Sequence, residues 1–336
     1  MEKGWAGLPY HPISHVYNKK FGGKVYKIPV SVVDNCPNRM GLKGMETCVF
    51  CDVWGSAAKS ESFTMDLHTQ IQTFRKNITK RFNAQNFLVY FQAYTNTFTK
   101  LTTLENNFAT ALDYDFVKGL VIGTRPDCLS PAVLKLWQKY HEQSFVAVEL
   151  GVQSFFDDQL DFLKRGHSRQ QSIDAILRIA ENTQVDLGIH LIFGNPGETD
   201  EHLIETAEII NDLPVSNVKL HNLHVLKNTT LEVLYNDKKF EPITREEYAR
   251  KVKVFLEVLS PKIAIQRLAA FASRWDELVA PIWASDKMGT HQYIIDTLRN
   301  NNTHQSAKYI PLSPEEEQLC LQLKNQSRSL LEPQAD

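Results

Sequence analysis

The feature that most constrains the fold is a strict alternation of short β-like runs with longer helical patterns. Six runs are rich in β-branched and aromatic residues: 27–33, 87–93, 119–125, 145–152, 185–194 and 217–226. The segments between them carry apolar residues near i, i+3 and i+4, the pattern of an amphipathic helix. Strands that alternate with helices form parallel sheets with right-handed crossovers. The sequence therefore predicts an α/β fold, either doubly wound or curled toward a barrel.

The fourth and fifth predicted strands favour the barrel. In FVAVELGVQ one face is entirely Val and Leu, while Glu149 and Gln153 share the other face with Ala and Gly. The fifth strand repeats this pattern and places His190 on the face that carries its glycines. A parallel strand is normally buried on both faces, so these polar side chains need partners or a ligand. A barrel with a cavity accommodates them, and His190 is a candidate site residue.

Polar side chains also collect where the predicted strands end. They are Gln92, Tyr94 and Asn96 after the second strand, Arg125, Asp127 and Cys128 after the third, and the turn 194–198 (GNPGE) after the fifth. The carboxyl ends of parallel strands are where barrels and open sheets bind ligands. The sequence therefore predicts a binding site at this edge.

Three of the five cysteines, Cys36, Cys48 and Cys51, follow the first predicted strand at the same edge. A zinc site is one interpretation, but structural zinc is almost always held by four protein ligands. The C-x11-C-x2-C loop has no nearby His, which favours an iron–sulfur cluster with three thiolates and one open iron. Cys128 is either a small packed side chain or a thiol that donates a hydrogen atom, its thiolate favoured by Arg125.

Several runs, in order, resemble the YhcC/YtqA-like radical S-adenosylmethionine proteins, which are relatives of the radical domain of the Elongator catalytic subunit. They are CPNRMGLKGMETCVFC, YFQAYTNTF, IGTRPDCL, VELGVQS, IFGNPGET and KLHNLHVLKNT, and the resemblance spans residues 14–290. It implies a partial (β/α)6 barrel of the TIM type with N- and C-terminal extensions. It also implies a four-iron four-sulfur cluster, an electron donor such as flavodoxin or ferredoxin, and reductive cleavage of S-adenosylmethionine to a 5′-deoxyadenosyl radical. We expect an N-terminal extension (1–25), the barrel (26–230), a C-terminal extension packed on it (231–310) and a polar tail (311–336).

The resemblance also assigns roles by position. The cluster ligands are Cys36, Cys48 and Cys51, with Phe50 beside the adenine. Gln92, Tyr94 and Asn96 lie near the methionine end, and Glu149 and Gln153 face the ribose or amino acid. The turn from Gly194 to Glu198 supports the adenine, and residues 223–226, among them Leu223 and Val225, close over it. Arg125 is expected beside Glu149, and we take Tyr94, Arg125 and Cys128 as the catalytic candidates.

The resemblance implies side-chain chemistry on the wobble uridine of tRNA. The net charge of −2 gives no overall basic field for nucleic acid, although a local patch could serve, formed by Arg245, Arg250, Lys251, Lys253 and Lys262. Two alternatives remain: a radical enzyme on a small metabolite of the porphyrin-precursor type, and a zinc-stabilised binding module without catalysis. His221 and His224 are expected on opposite faces of a strand, which disfavours a shared metal. No apolar run is long enough to span a bilayer, so we expect a cytoplasmic protein without a membrane partner.

Overall fold

The computed structural model describes residues 5–52, 55, 64–272 and 275–311. Its main sheet has seven parallel strands: β1 Val25–Val30, β2 Asn86–Phe91, β3 Val117–Thr124, β4 Phe145–Gln153, β5 Asp186–Phe193, β6 Asn217–Asn222 and β8 Ala264–Arg267. Two short strands, β7 Val225–Leu226 and β9 Leu278–Ala280, form a separate antiparallel pair. The main strands follow one another across the sheet in chain order. This curled half barrel confirms the predicted fold class.

The helices occupy the segments between the strands, as the periodicity predicts. They are α1 Ile13–Phe21, α2 Leu67–Phe82, α3 Leu101–Leu112, α4 Pro131–His141, α5 Asp157–Phe162, α6 Arg169–Asn182, α7 Asp200–Asp212, α8 Thr230–Asn236, α9 Arg245–Val258 and α10 Lys287–Asn300. Local capping fixes where several begin. Ser130 accepts a hydrogen bond from the Val133 amide ahead of α4, and Ser168 forms a capping box with Gln171 at α6.

The two faces of β4 separate as the alternation predicts. Val146, Val148, Leu150 and Val152 are fully buried in the large core between the sheet and its helices. Glu149 and Gln153, on the other face, lie inside the curl of the sheet and border its cavity. The core therefore sits outside the curl, and the polar inner face is left for the site.

The short strand predicted at KIAIQRL (262–268), within the C-terminal extension, is present and joins the main sheet as its seventh strand. Strand β8, within the segment predicted as an extension, pairs in parallel with β6. Its free edge is partly covered by the N-terminal segment, where the Ile265 amide donates to the carbonyl of His11 at 2.7 Å. Covering an edge in this way prevents it from pairing with another chain. We retain the four-segment division as a proposal; residues 312–336 of the tail lie outside the described residues.

Asn96 ties the ends of β2 and β3 together. Its side-chain amide donates to the carbonyls of Phe91 and Gly123, both at 2.9 Å, and its side chain is buried. Replacing it with Ala leaves two buried carbonyls without this donor, so we expect Asn96→Ala to lower the free energy of unfolding by ~1–3 kcal/mol.

Equilibrium urea unfolding measures this loss. Asn301→Ala is the matched control, because Asn301 is exposed and bonds only within the end of α10. Equal stabilities of the two variants would show that Asn96 does not hold the strand ends.

Candidate active site

A cavity of about 380 Å³ lies within the curl of the main sheet, bordered by the inner face of the strands and by the loop after β1. Eleven of the predicted site residues border it: Cys36, Cys48, Phe50, Cys51, Gln92, Tyr94, Arg125, Glu149, Gln153, His190 and Leu223. They come from the loop after β1 and from β2 to β6 or the turns that follow. The cavity therefore lies at the sheet edge where the sequence predicts a binding site.

The loop 36–51, here called the cysteine loop, carries three free thiols. Cys36 and Cys48 are buried, and Cys51 is half-buried. Backbone bonds fix the loop on both sides: the Val49 amide donates to the Leu163 carbonyl at 3.2 Å, and the Val49 carbonyl accepts from the Leu231 amide at 2.9 Å. The thiols are therefore held against the cavity wall by the barrel itself.

Two arginines approach the cysteine sulfurs. Arg165 places Nη1 3.3 Å from the Sγ of Cys48 and donates through Nη2 to the Gly151 carbonyl at 2.8 Å. Arg39 places Nη1 3.8 Å from the Sγ of Cys51. Burial, followed by the charge of Cys48, raises the pKa of Cys51 to about 12. The free thiol therefore keeps its proton, and a metal must displace that proton on binding.

Glu149 lies at the centre of the polar inner face. Its carboxylate accepts hydrogen bonds from Tyr90 at 2.7 Å, His190 at 2.6 Å and Lys219 at 2.9 Å, and it also pairs with Lys27. These groups come from β1, β2, β5 and β6, and together with Glu149 they are called the Glu149 cluster below. Sequence analysis missed Lys27, Tyr90 and Lys219, although their inward positions could have been found from strand alternation.

Charge and burial set the protonation of the Glu149 cluster. Burial alone would raise the pKa of Glu149, but Lys219 and Lys27 outweigh it and hold that pKa well below its ordinary value. Burial lowers the pKa of Lys219 to about 8, and it lowers the pKa of His190 to about 4. At neutral pH the cluster therefore holds two ammonium groups, one carboxylate and a neutral imidazole.

The predicted pairing of Arg125 with Glu149 is wrong. Arg125 instead donates to both carboxylate oxygens of Asp127, at 2.8 and 2.9 Å, to the Arg165 carbonyl at 2.7 Å and to the side chain of Asn38. Through Asn38 and Arg165, it connects the cysteine loop to the turn after α5. The buried carboxylate is neutralised by lysines of other strands.

Of the two alternatives for Cys128, the structure favours a packed side chain over a reactive thiol. Burial, reinforced by Asp127, raises the pKa of Cys128 to about 12 despite the opposing effect of Arg125. Its Sγ lies 3.8 Å from the Asp127 carboxylate, and the residue does not border the cavity. A role for Cys128 as hydrogen-atom donor therefore has no support from its position.

Four other predicted site residues lie behind the cavity wall. Asn96 is occupied by backbone carbonyls, and Val225 is fully buried in β7. Glu198 accepts from the Gly194 amide at 2.9 Å and lies 3.4 Å from the ammonium of Lys251. These residues shape the turns around the cavity, and none of them borders it.

His221 and His224 both border the cavity, which overturns the prediction that they point to opposite faces. Strand β6 ends at Asn222, so the two-residue alternation does not extend to His224. The ring of His221 lies 2.8 Å from Nη2 of Arg267. The buried side chain of Asn222 also borders the cavity, and neither of its polar atoms has a hydrogen-bond partner among the residues that the structure describes.

The predicted basic patch on and near α9 is largely neutralised. Arg250 pairs with Asp200 and Glu247, Lys253 with Glu257, and Lys251 is buried against Glu198. Surface pairs of this kind leave little charge for a polyanion. None of the helices that the structure describes is long and apolar enough to cross a membrane.

Comparison with known proteins identifies the family. Residues 30–210 match the Radical SAM superfamily, and residues 215–300 match the Radical_SAM C-terminal domain. The chain belongs to the radical SAM superfamily. It is 29% identical over 306 residues to YtqA of Bacillus subtilis, covering 91% of this chain and 94% of YtqA. It is 31% identical over 270 residues to YhcC of Escherichia coli, covering 80% and 85% of the two chains.

The chain is also similar to one further curated protein and to one solved structure. A tRNA uridine(34) acetyltransferase of Methanocaldococcus infernus is 31% identical over 146 residues, which are 43% of this chain and 26% of the acetyltransferase. The structure of Elp3 from the same archaeon superposes with a TM-score of 0.62 at 18% identity, over 84% of this chain and 64% of that chain. At that identity the superposition establishes the shared fold alone.

The chain is therefore a radical SAM enzyme, and its cofactors are a four-iron four-sulfur cluster and S-adenosylmethionine. When bound, the reduced cluster supplies an electron that cleaves S-adenosylmethionine to a 5′-deoxyadenosyl radical, so an electron donor is required. The donor set fits the cluster, because three soft thiols on one loop border a cavity. Among the described residues, no three His, Cys, Asp or Glu side chains are grouped to hold one metal ion, so the three thiols border the cavity without forming a closed site. Because the chain is a radical SAM enzyme, the alternative of a zinc-stabilised module without catalysis is set aside.

The Glu149 cluster should make Glu149→Gln much more destabilising than a Glu→Gln change in an exposed ion pair with lysine. Glu149→Gln leaves the half-buried Lys27 and Lys219 without their shared buried carboxylate, and we expect a loss of ~3–5 kcal/mol in unfolding free energy. Glu105→Gln breaks the exposed pair of Glu105 with Lys139 and should cost ~0–1 kcal/mol. Chemical denaturation of the two variants under the same anaerobic conditions measures both values. Similar losses would mean that the Glu149 cluster does not stabilise the barrel.

Proposed function

We propose that this radical SAM enzyme modifies the side chain of the wobble uridine in tRNA. Its cluster is held by Cys36, Cys48 and Cys51, and an electron donor of the flavodoxin or ferredoxin type reduces it. The observation that carries the cofactor assignment is the set of three thiols on one loop beside a cavity. The similarity to tRNA uridine(34) acetyltransferases, which covers 43% of this chain, supports the substrate.

The surrounding side chains have roles that follow from their chemistry. Arg165 and Arg39 donate toward the sulfurs of Cys48 and Cys51, and such donors stabilise thiolates and tune the potential of a cluster. Phe50 offers an apolar surface to the adenine, while Gln92, Tyr94 and Gln153 offer polar contacts to the rest of S-adenosylmethionine. The side-chain amide of Asn222, which has no partner within the described part of the chain, can bond a heterocycle edge that presents a donor beside an acceptor.

The cluster assignment predicts that Cys48→Ala loses bound iron and the brown colour of the anaerobically reconstituted protein, because a cluster thiolate is removed. Iron and sulfide analysis, together with the visible absorption spectrum, measures this loss. Cys320→Ala is the control, since Cys320 lies outside the cysteine loop and outside the described residues. Full iron content in Cys48→Ala would overturn the ligand assignment.

The substrate assignment is tested with tRNA. The reconstituted enzyme, S-adenosylmethionine and a reductant are incubated without oxygen with tRNA from a strain that lacks this enzyme. Nucleoside mass spectrometry should then show one changed uridine derivative, formed in proportion to 5′-deoxyadenosine. Unchanged nucleosides, with 5′-deoxyadenosine formed equally with and without tRNA, would refute the tRNA proposal. A small metabolite of the porphyrin-precursor type would then become the substrate to test.

A further inference from the structure

The guanidinium of Arg267 lies on the cavity wall and has no acidic partner among the described residues. Its Nε lies 3.4 Å from the Leu220 carbonyl, and its Nη2 contacts the ring of His221. No carboxylate lies within ion-pair distance of it in the part of the chain that the structure describes. Arg125, which follows β3 and also borders the cavity, differs from Arg267 because it is paired with Asp127. Burial lowers the pKa of Arg267, which is the expected effect of an enclosed cation.

The neighbours of Arg267 add positive charge. Strand register places Lys219 directly opposite Arg267, and it places His190 opposite Lys219 on the next strand. Lys219 and Lys27 share the single carboxylate of Glu149. His190 and His221 are neutral at pH 7, because burial lowers both pKa values. Lys27, Lys219 and Arg267 therefore face the single carboxylate of Glu149. Another acid close to Lys27 is Asp186, whose side chain bonds to Ser216 and Asn217.

An uncompensated charge inside a protein is unfavourable unless a partner or a ligand neutralises it. Guanidinium groups bind carboxylates and phosphates through parallel hydrogen bonds, and a neighbouring lysine adds a donor. Arg267 also borders the same cavity as the cysteine loop. A ligand that enters this cavity can therefore reach both the cluster end and Arg267.

We propose that Arg267 and the adjacent Lys219 form a binding site for an anionic group of the substrate, either a carboxylate or a phosphate ester. The proposal adds a substrate-binding site to the proposed function. It depends on that function only for the identity of the substrate. The site selects a substrate that carries negative charge close to the position of the radical reaction. It also explains why the cationic groups around Glu149 outnumber the acidic ones.

Anion binding to the cluster-loaded enzyme tests the site without tRNA. Acetate and inorganic phosphate are titrated calorimetrically at constant ionic strength into the wild type, Arg267→Gln, Arg267→Lys and Arg250→Gln. Arg250→Gln is the control, because Arg250 is paired with Asp200 on the surface outside the cavity. We expect Arg267→Gln to bind the preferred anion ~10- to 100-fold more weakly, as for a lost hydrogen bond between charged groups. Arg267→Lys should retain part of the affinity, and Arg250→Gln all of it.

The preference between acetate and phosphate distinguishes a carboxylate from a phosphate ester. S-adenosylmethionine carries its own carboxylate, so its affinity is measured for the same proteins. Equal affinity in the wild type and Arg267→Gln supports a substrate site. If Arg267→Gln weakens S-adenosylmethionine tenfold but leaves a decarboxylated analogue unaffected, the anion is that of the cofactor and the proposal is wrong.

Absence of anion binding to the wild type also overturns the proposal, whatever the variants do. If Arg267→Gln fails to fold, the wild type and Arg267→Lys still decide the outcome. Failure of the tRNA experiment leaves the anion site intact, whereas failure of the anion titration leaves the cluster and tRNA assignments intact.

Discussion

The charge balance inside the curl of the sheet depends on the buried carboxylate of Glu149. Parallel strands place alternate side chains inside the curl, and in this chain those positions include lysines of β1 and β6. Without Glu149 these half-buried ammonium groups would lose the anion that they share, which is unfavourable. Lys27 also donates to the side chain of Gln266 at 2.8 Å, so the first and last strands of the sheet meet across its interior. One acidic residue thus makes a polar interior compatible with a stable curled sheet.

The sequence predicts the position of a residue correctly when that position depends only on the residue's own strand. The two faces of β4, the inward position of His190 and the edge that carries the thiols all follow from local periodicity and strand direction. Partnerships between strands were not predictable, because they depend on register. Register pairs Gly123 with Glu149, so Arg125 lies two residues, or about 6.6 Å, beyond the level of that carboxylate. The sequence alone could not distinguish Arg125 from Lys27 and Lys219 as the partner.

The sequence also could not predict how the seventh strand pairs or where His221 and His224 point, because both depend on the packed sheet. The run 262–268 is β-like in sequence, but only the packed sheet shows that it pairs with β6. The run 217–226 was predicted as one strand, whereas β6 ends at Asn222 and β7 begins at Val225. The break turns His224 into the cavity and lets Val225 pair with Ala280. Asn222 favours turns and stands at the break, but a single Asn within a β-like run is a weak signal for the end of a strand.

The charges around the cavity divide it into two chemically different ends. At the cysteine loop, three thiols face two arginines that donate toward sulfur, and such donors stabilise the thiolates that a cluster requires. Around Glu149, cations exceed carboxylates, and Arg267 has no acidic partner among the described residues. Near Arg267 an anion is favoured and a cation is repelled. On the proposal above, an anionic group of the substrate is therefore drawn to the end of the cavity that holds Arg267, while the thiols of the cysteine loop hold the cluster at the other end.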